Sequence, residues 1–244
     1  VKAFREGRYT QAQALLAKKL PDDAGGQYLQ GLCFLKLGQF DKAAALFPQL
    51  AEKLPALSPR LHLHTGNALL EQEKYEEAEK EFRAIAPDAV VYTEGQFGLA
   101  KVLQSRKQPL EALSVLSTMS NRPPTSLGRD TAAEALQSSL AILEGLGGQP
   151  ESLRDVGLKL WSEHPKAAMA ERGLAAAQRA GLKEVPVEVK LVRAELLEEA
   201  HHNAEALAML QRRKVTSCDA TACGTLAGGG AAFQTLPQAR LLLH

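Results

Sequence analysis

Residues 31–55 read GLCFLKLGQFDKAAALFPQLAEKLP, and the same grammar returns at 66–85 as GNALLEQEKYEEAEKEFRAI and at 100–119 as AKVLQSRKQPLEALSVLSTM. In each copy a small residue (Gly31, Gly66, Ala100) is followed twelve positions later by an alanine (Ala43, Ala78, Ala112), with the turn GQF, EKY or KQP between them. The alanines step by 35 and then 34, and Ala12 in GRYTQAQALL lies 31 before Ala43. A period near 34 marks helical hairpins that stack, because one hairpin alone cannot bury its apolar face. The fold expected is all-α: a right-handed solenoid of antiparallel helical hairpins.

The residue types follow from packing. Gly31, Gly66 and Ala100 belong where the two helices of a hairpin cross closely and a larger side chain would force them apart. Ala43, Ala78 and Ala112 are their small counterparts on the second helices. Phe34, Phe40 and Phe47 then fill one copy, and Leu69, Tyr75 and Phe82 the next. Pro55 and Pro124 fall twelve residues after their alanines, where a second helix is expected to stop. This grammar resembles the tetratricopeptide repeat (TPR) family, which implies a scaffold that binds partners.

Composition agrees. Aromatic residues make up 5% of the 244, and Ala and Leu dominate, which favours helix packing over a sheet. With 29 basic and 28 acidic residues the formal net charge is +1, so no field draws nucleic acid or an anionic membrane. No apolar run reaches the roughly 20 residues of a spanning helix. Cys33 reads as a small core residue. Cys218 and Cys223 in CDATAC lack the spacing of a zinc site; a disulfide and unpaired thiols both remain open.

In chain order, residues 1–120 read as regular TPR-like repeats, 121–130 (with Pro123, Pro124 and Gly128) as an irregular loop, and 131–244 as divergent hairpins. Val1 is not a methionine, and the counterpart of Gly31 in the first copy falls before it, so further sequence is expected upstream. Asp22 to Gly26 and Pro55 to Pro59 read as links between copies. In the fourth copy Ala141 takes the small position and Leu153 the alanine position. Helices are expected from Glu151 to WSEHP, over 167–180, over 188–200 and over 203–213, with Ala194 and Ala206 restoring the spacing of twelve. Gly228 to Gly230 stand where a first helix is due, Ala239 repeats Ala206, and the chain is expected to be cut at both ends.

The phrases LKLWSEHPKAAMAERGLAAA (158–177) and RAELLEEAHHNAEALAML (193–210) carry a narrower resemblance. They are similar to the helical superhelix that precedes the catalytic domain of bacterial soluble lytic transglycosylases. The resemblance implies a periplasmic or cell-envelope protein that positions peptidoglycan glycan strands or protein partners, with its chemistry outside these residues. That family's catalytic acid is a Glu followed by Ser. The single such pair here, Glu151-Ser152, follows Pro150 at a helix start, where both residues belong as caps. A stand-alone cytoplasmic TPR adaptor for partner peptides is the alternative.

No catalytic residue, metal site or cofactor is expected. His62 and His64 diverge on a helix, as do His201 and His202, and all four read as solvated or turn histidines. The glycines at 228–230 lack the Lys-Ser/Thr of a phosphate loop. Binding candidates come from the first helices, whose residues one turn either side of the small position line a concave face: Tyr28, Lys36, Leu63, Asn67, Glu71, Phe97, Lys101 and Gln104. Their mixed character suits an extended peptide or protein surface. With Tyr28 and Leu32 at inner positions of the second copy, the basic clamp of co-chaperone TPR domains is not expected.

Overall fold

The computed structural model describes residues 1–19, 23–120 and 130–211, and among them the chain forms thirteen α-helices and no strand. In order these are α1 (Lys2–Arg5), α2 (Tyr9–Lys19), α3 (Ala24–Lys36), α4 (Phe40–Gln49), α5 (Ser58–Glu71), α6 (Tyr75–Arg83), α7 (Tyr92–Ser105) and α8 (Pro109–Met119). There follow α9 (Thr131–Leu146), α10 (Pro150–Glu163), α11 (Ala170–Arg179), α12 (Val187–Glu199) and α13 (Asn203–Gln211). The expected all-α, TPR-like hairpin fold is the one observed.

One turn device is repeated along the chain. Helix α3 closes with Gly38 N–H donating to Leu35 O (3.2 Å) and Gln39 N–H to Phe34 O (2.9 Å). These paired bonds cap the last carbonyls and require a left-handed residue between them, here Gly38 at φ +70°. The same pair closes α5 at Glu73, α7 at Lys107, α11 at Gly181 and α12 at His201. The first letter of each turn read from the sequence, Gly38, Glu73 and Lys107, is the left-handed residue. Glu73 and Lys107 hold φ 60° without being glycine, which costs each roughly 1–2 kcal/mol.

The chain divides into two compact units, one of residues 1–135 and one beginning at Leu136. In the first unit consecutive helices from α2 to α8 pack on one another, and α5 also meets α7. The glycines make the close approaches. A Cβ on Gly31 would lie 2.5 Å from the Phe47 ring, and Cβ atoms on Gly66 and Gly98 would lie 2.8 and 2.5 Å from Phe82. Phe82 is therefore held between glycines of its own hairpin and of the next. Ala43, Ala78 and Ala112, together with Phe47, Phe82 and Leu116 one turn later, have no exposed surface. Each such phenylalanine contributes about 2–3 kcal/mol by burial. Cys33 sits in the core with Ala3, Ala12 and Leu16.

In the second unit α10 packs on α11 and α12, and α12 on α13. Gly157 and Gly173 meet backbone to backbone: a Cβ on Gly157 would stand 2.3 Å from Gly173 O. Arg193 of α12 lies buried between the other two helices. Its Nη1 donates to the Trp161 carbonyl, its Nη2 reaches Glu171 Oε1 at 2.7 Å, and the guanidinium lies 4.5 Å from the centre of the Trp161 ring. Trp161 Nε1 donates to the same Glu171 oxygen at 3.2 Å. Burial pulls the Arg193 pKa down from its usual value, against the opposing pull of Glu171 and Glu205.

Several expectations change. Ala141 is exposed and Leu153 only half-buried, because the buried stripe of α9 runs through Leu136, Leu140 and Leu143, a helical period that leaves position 141 outside. The close-contact residues of the next hairpin are instead Gly157 and Gly173, sixteen apart, as Gly31 and Phe47 are. Helix α4 ends at Gln49, and Pro55 opens a 3₁₀ turn (Pro55–Leu57) rather than stopping a helix. Gly25 and Gly26 lie inside α3, whose first turn is capped by Asp23 accepting from Gly26 N–H. The loop at 121–129, Cys218, Cys223, the glycines at 228–230 and Ala239 lie outside the described residues.

Candidate functional site

Helices α3, α5 and α7 are the first helices of three successive hairpins, and the eight candidate residues on them divide by exposure. Lys36, Asn67, Glu71, Lys101 and Gln104 are exposed, and Tyr28 and Phe97 are half-buried. Leu63 is 8% exposed and belongs to the core. As the one aliphatic residue in its row of Tyr28, Leu63 and Phe97, it gains by leaving water and needs no polar partner, so it is removed from the binding set.

Glu71, Lys101 and Gln104 come together. With Leu70, Glu73, Tyr75 and Ser105 they line an open cleft of about 430 Å³ between the ends of α5 and α7 and the start of α6. Its apolar ground is Leu70 and the Tyr75 ring, and its rim offers carboxylates from Glu71 and Glu73 and an ammonium from Lys101. Both signs at one mouth suit the alternating donors and acceptors of a peptide. Lys36, Asn67, Tyr28 and Phe97 do not line it. The sequence reading missed four members. Tyr75 passes for hairpin filler by its aromatic character, and Glu73 enters the cleft only because it is the left-handed residue of the turn.

Beside this face His64 departs from the solvated histidine expected. It is half-buried, its ring 5.2 Å from that of Phe47 and 5.9 Å from that of Tyr28. Tyr28 Oη lies 3.1 Å from His64 Nε2. Burial, with the Arg60 charge adding to it, pulls the His64 pKa down to about 4, so near neutral pH the ring is uncharged and shares one hydrogen bond with the tyrosine hydroxyl, whose direction follows the imidazole tautomer. His64 takes the place that the next copy gives to Gly98, one hairpin of 34 residues later. His62 instead reaches Glu81, Nδ1 to Oε2 at 2.8 Å, while His201 and His202 are exposed at a turn.

Glu79 joins α6 to the end of α7 by accepting from Arg83 at 2.8 Å and from Arg106. Burial raises its pKa, and the two arginines together bring it below the usual carboxylate range. Glu151 and Ser152 are exposed in the first turn of α10, but neither is the cap expected: Gln149 is the N-cap and no side-chain hydrogen bond caps the helix, so Glu151 is left with only its favourable place beside the helix dipole. Among the described residues no three or more His, Cys, Asp or Glu side chains are grouped to hold a metal ion. Among them, too, no helix is long and apolar enough to cross a membrane.

Residues 2–57 and 34–90 both match the tetratricopeptide repeat family. The N-terminal hairpins are tetratricopeptide repeats. The matched residues run from α1 through α6 and contain the Gly31–Phe47 and Gly66–Phe82 contacts. The pair α7–α8 continues the repeat, with Ala100, Ala112 and Leu116 buried at the matching positions. Tetratricopeptide repeats imply a helical scaffold for protein interaction, and that is the coarse function of this region. No curated protein matches the chain.

Proposed function

We propose that the tetratricopeptide repeats of the first unit dock an extended segment of a partner protein across α3, α5 and α7, with Glu71, Lys101 and Gln104 as its principal contacts. The observation that carries this reading is the cleft in which those three exposed side chains of two successive hairpins meet over Leu70 and Tyr75. The region supplies shape and binding rather than chemistry. Peptides selected from a displayed library on the 244-residue chain test it. Their affinity is expected to fall at least tenfold on the combined change Glu71→Ala, Lys101→Ala and Gln104→Ala, and to persist on Lys80→Ala. Selected peptides indifferent to the triple variant refute it.

A second, finer reading is that the chain is the superhelical part of a lytic-transglycosylase-like envelope protein, periplasmic, with peptidoglycan glycan strands as a further ligand. What supports it is the resemblance of the phrases at 158–177 and 193–210, whose described residues fall on the α10–α13 hairpins. Under the first reading alone, a cytoplasmic adaptor is equally served. Co-sedimentation with purified peptidoglycan sacculi separates the two: saturable retention supports the envelope reading, and its absence at millimolar disaccharide removes the glycan ligand.

A further inference from the structure

A second cleft, unrelated to the repeat groove, lies within the second unit. It measures about 220 Å³ and is lined by Leu143, Pro150, Leu153 and Ala180, with the backbone of Gly147 and Gly148, the Gln149 amide and the Glu144–Arg179 pair at its mouth. This is smaller than the roughly 300–1,000 Å³ of small-molecule sites, so it suits one aliphatic side chain rather than a metabolite. Leu146, beside it in sequence, is 40% exposed and extends the apolar surface. Gly147 and Gly148 form the lip because both hold left-handed backbone, φ +62° and +70°.

The charge at the mouth decides the occupant. Glu144 is the shared acceptor of two arginines, Arg172 and Arg179, the latter at 2.7 Å through Nη2. Hydrogen bonding from Arg172 leads the effects that bring the Glu144 carboxyl below its usual range. Within the lining Arg179 and Glu144 balance, and Arg172, which pairs with Glu144 from outside the lining, leaves the three-residue cluster net positive. Arg179 is 63% exposed along its side chain, and it gives Glu144 one nitrogen of its fork, which leaves further N–H groups to meet an anion in paired fashion.

We propose that this cleft is a docking site for the carboxyl-terminal residue of a partner protein, an aliphatic side chain entering between Leu143 and Leu153 while its terminal carboxylate engages Arg179 and the Gln149 amide. The site is independent of the repeat groove and stands or falls separately from the function proposed above.

The test uses the full 244-residue chain and a fluorescent hexapeptide, Gly-Ser-Gly-Ser-Gly-Leu with a free carboxylate. Fluorescence anisotropy should show saturable binding below 1 mM, weakened at least tenfold for the carboxamide form, for a serine-terminated peptide and for Arg179→Gln. Leu153→Trp, which fills the cleft, should abolish binding, and Lys80→Ala, at an exposed position of α6 that lines neither cleft, should leave it unchanged. Unchanged helical circular dichroism checks that the variants fold; Gln149→Ala, at a half-buried loop position, gives a milder second variant with an expected several-fold loss. No saturation by 1 mM, or equal binding of acid and amide, overturns the proposal. Equal binding of an internal Asp-Leu peptide overturns the chain-terminal assignment.

Discussion

Acid should loosen the first unit through His64 well before the carboxylates titrate. Its imidazole is held neutral between Phe47 and Tyr28 with a pKa of about 4, whereas an unfolded chain binds the proton near 6.5. The folded pKa is depressed for a base, so the stabilisation is complete above pH 6.5, declines as the pH falls, and is fully lost below about 4. At pH 5 the linkage amounts to about 2 kcal/mol, and halving it for solvent relaxation at a half-buried site leaves about 1 kcal/mol. The substitution His64→Phe keeps the ring packing and removes the proton site. Urea denaturation followed by far-ultraviolet circular dichroism at pH 7 and pH 5 should show the unmodified chain losing about 1 kcal/mol more than the variant. With a slope of about 2 kcal/mol per molar, this is a midpoint difference of about 0.5 M. Trp161 is the single tryptophan of the chain and lies in the second unit, so its fluorescence serves as an internal control and should show no such difference. Equal losses in the two proteins would refute the reasoning. Glu79 and Glu144 do not confuse this comparison: their depressed carboxyls lose their contribution as the pH falls through the ordinary carboxylate range toward their lower folded values, little of it is lost at pH 5, and that loss is common to both proteins.

Gly98→Ala should destabilise by about 1–3 kcal/mol, because its Cβ would meet the Phe82 ring at 2.5 Å. In a Phe82→Leu background the same change should cost much less, and additive losses in the double-mutant cycle would contradict the contact. Lys107→Gly should stabilise the chain by about 0.5–1 kcal/mol, the relief of left-handed strain exceeding the added chain entropy; a lower melting temperature would count against the turn assignment. Arg193→Met should cost about 2 kcal/mol, less than a fully buried pair because Glu171 stays in water. Trp161 emission should move with it, and an unchanged spectrum would show that the stacking is not retained in solution.

How much of this was legible in the sequence depends on how local the determinant is. The turns GQF, EKY and KQP could be placed because the bonds that close them involve residues within five positions, and the 34-residue step places Ala43, Ala78 and Ala112 in the core. The fourth copy was misread at Ala141, because alanine is equally at home on either face of a helix and the spacing rule carries no information about which face is covered. Of the cleft, Glu71, Lys101 and Gln104 could be found by counting from the small position. Tyr75 and Glu73 could not, since they enter it from a different helix and from a turn. Leu63 was placed outward by the same counting and proved to be core.

The sequence by itself determined the helical hairpins, their period and their turns, since these rest on propensities and backbone bonds a few residues long. Only the tertiary structure decided which side chains meet between hairpins. It placed Phe82 between Gly66 and Gly98, made His64 a neutral hydrogen-bond partner of Tyr28, and carried Arg193 into the space between Trp161 and Glu171. Those pairings join residues 16 to 36 positions apart, and burial and charge there depend on what the neighbouring helix presents, which no single stretch of the chain contains.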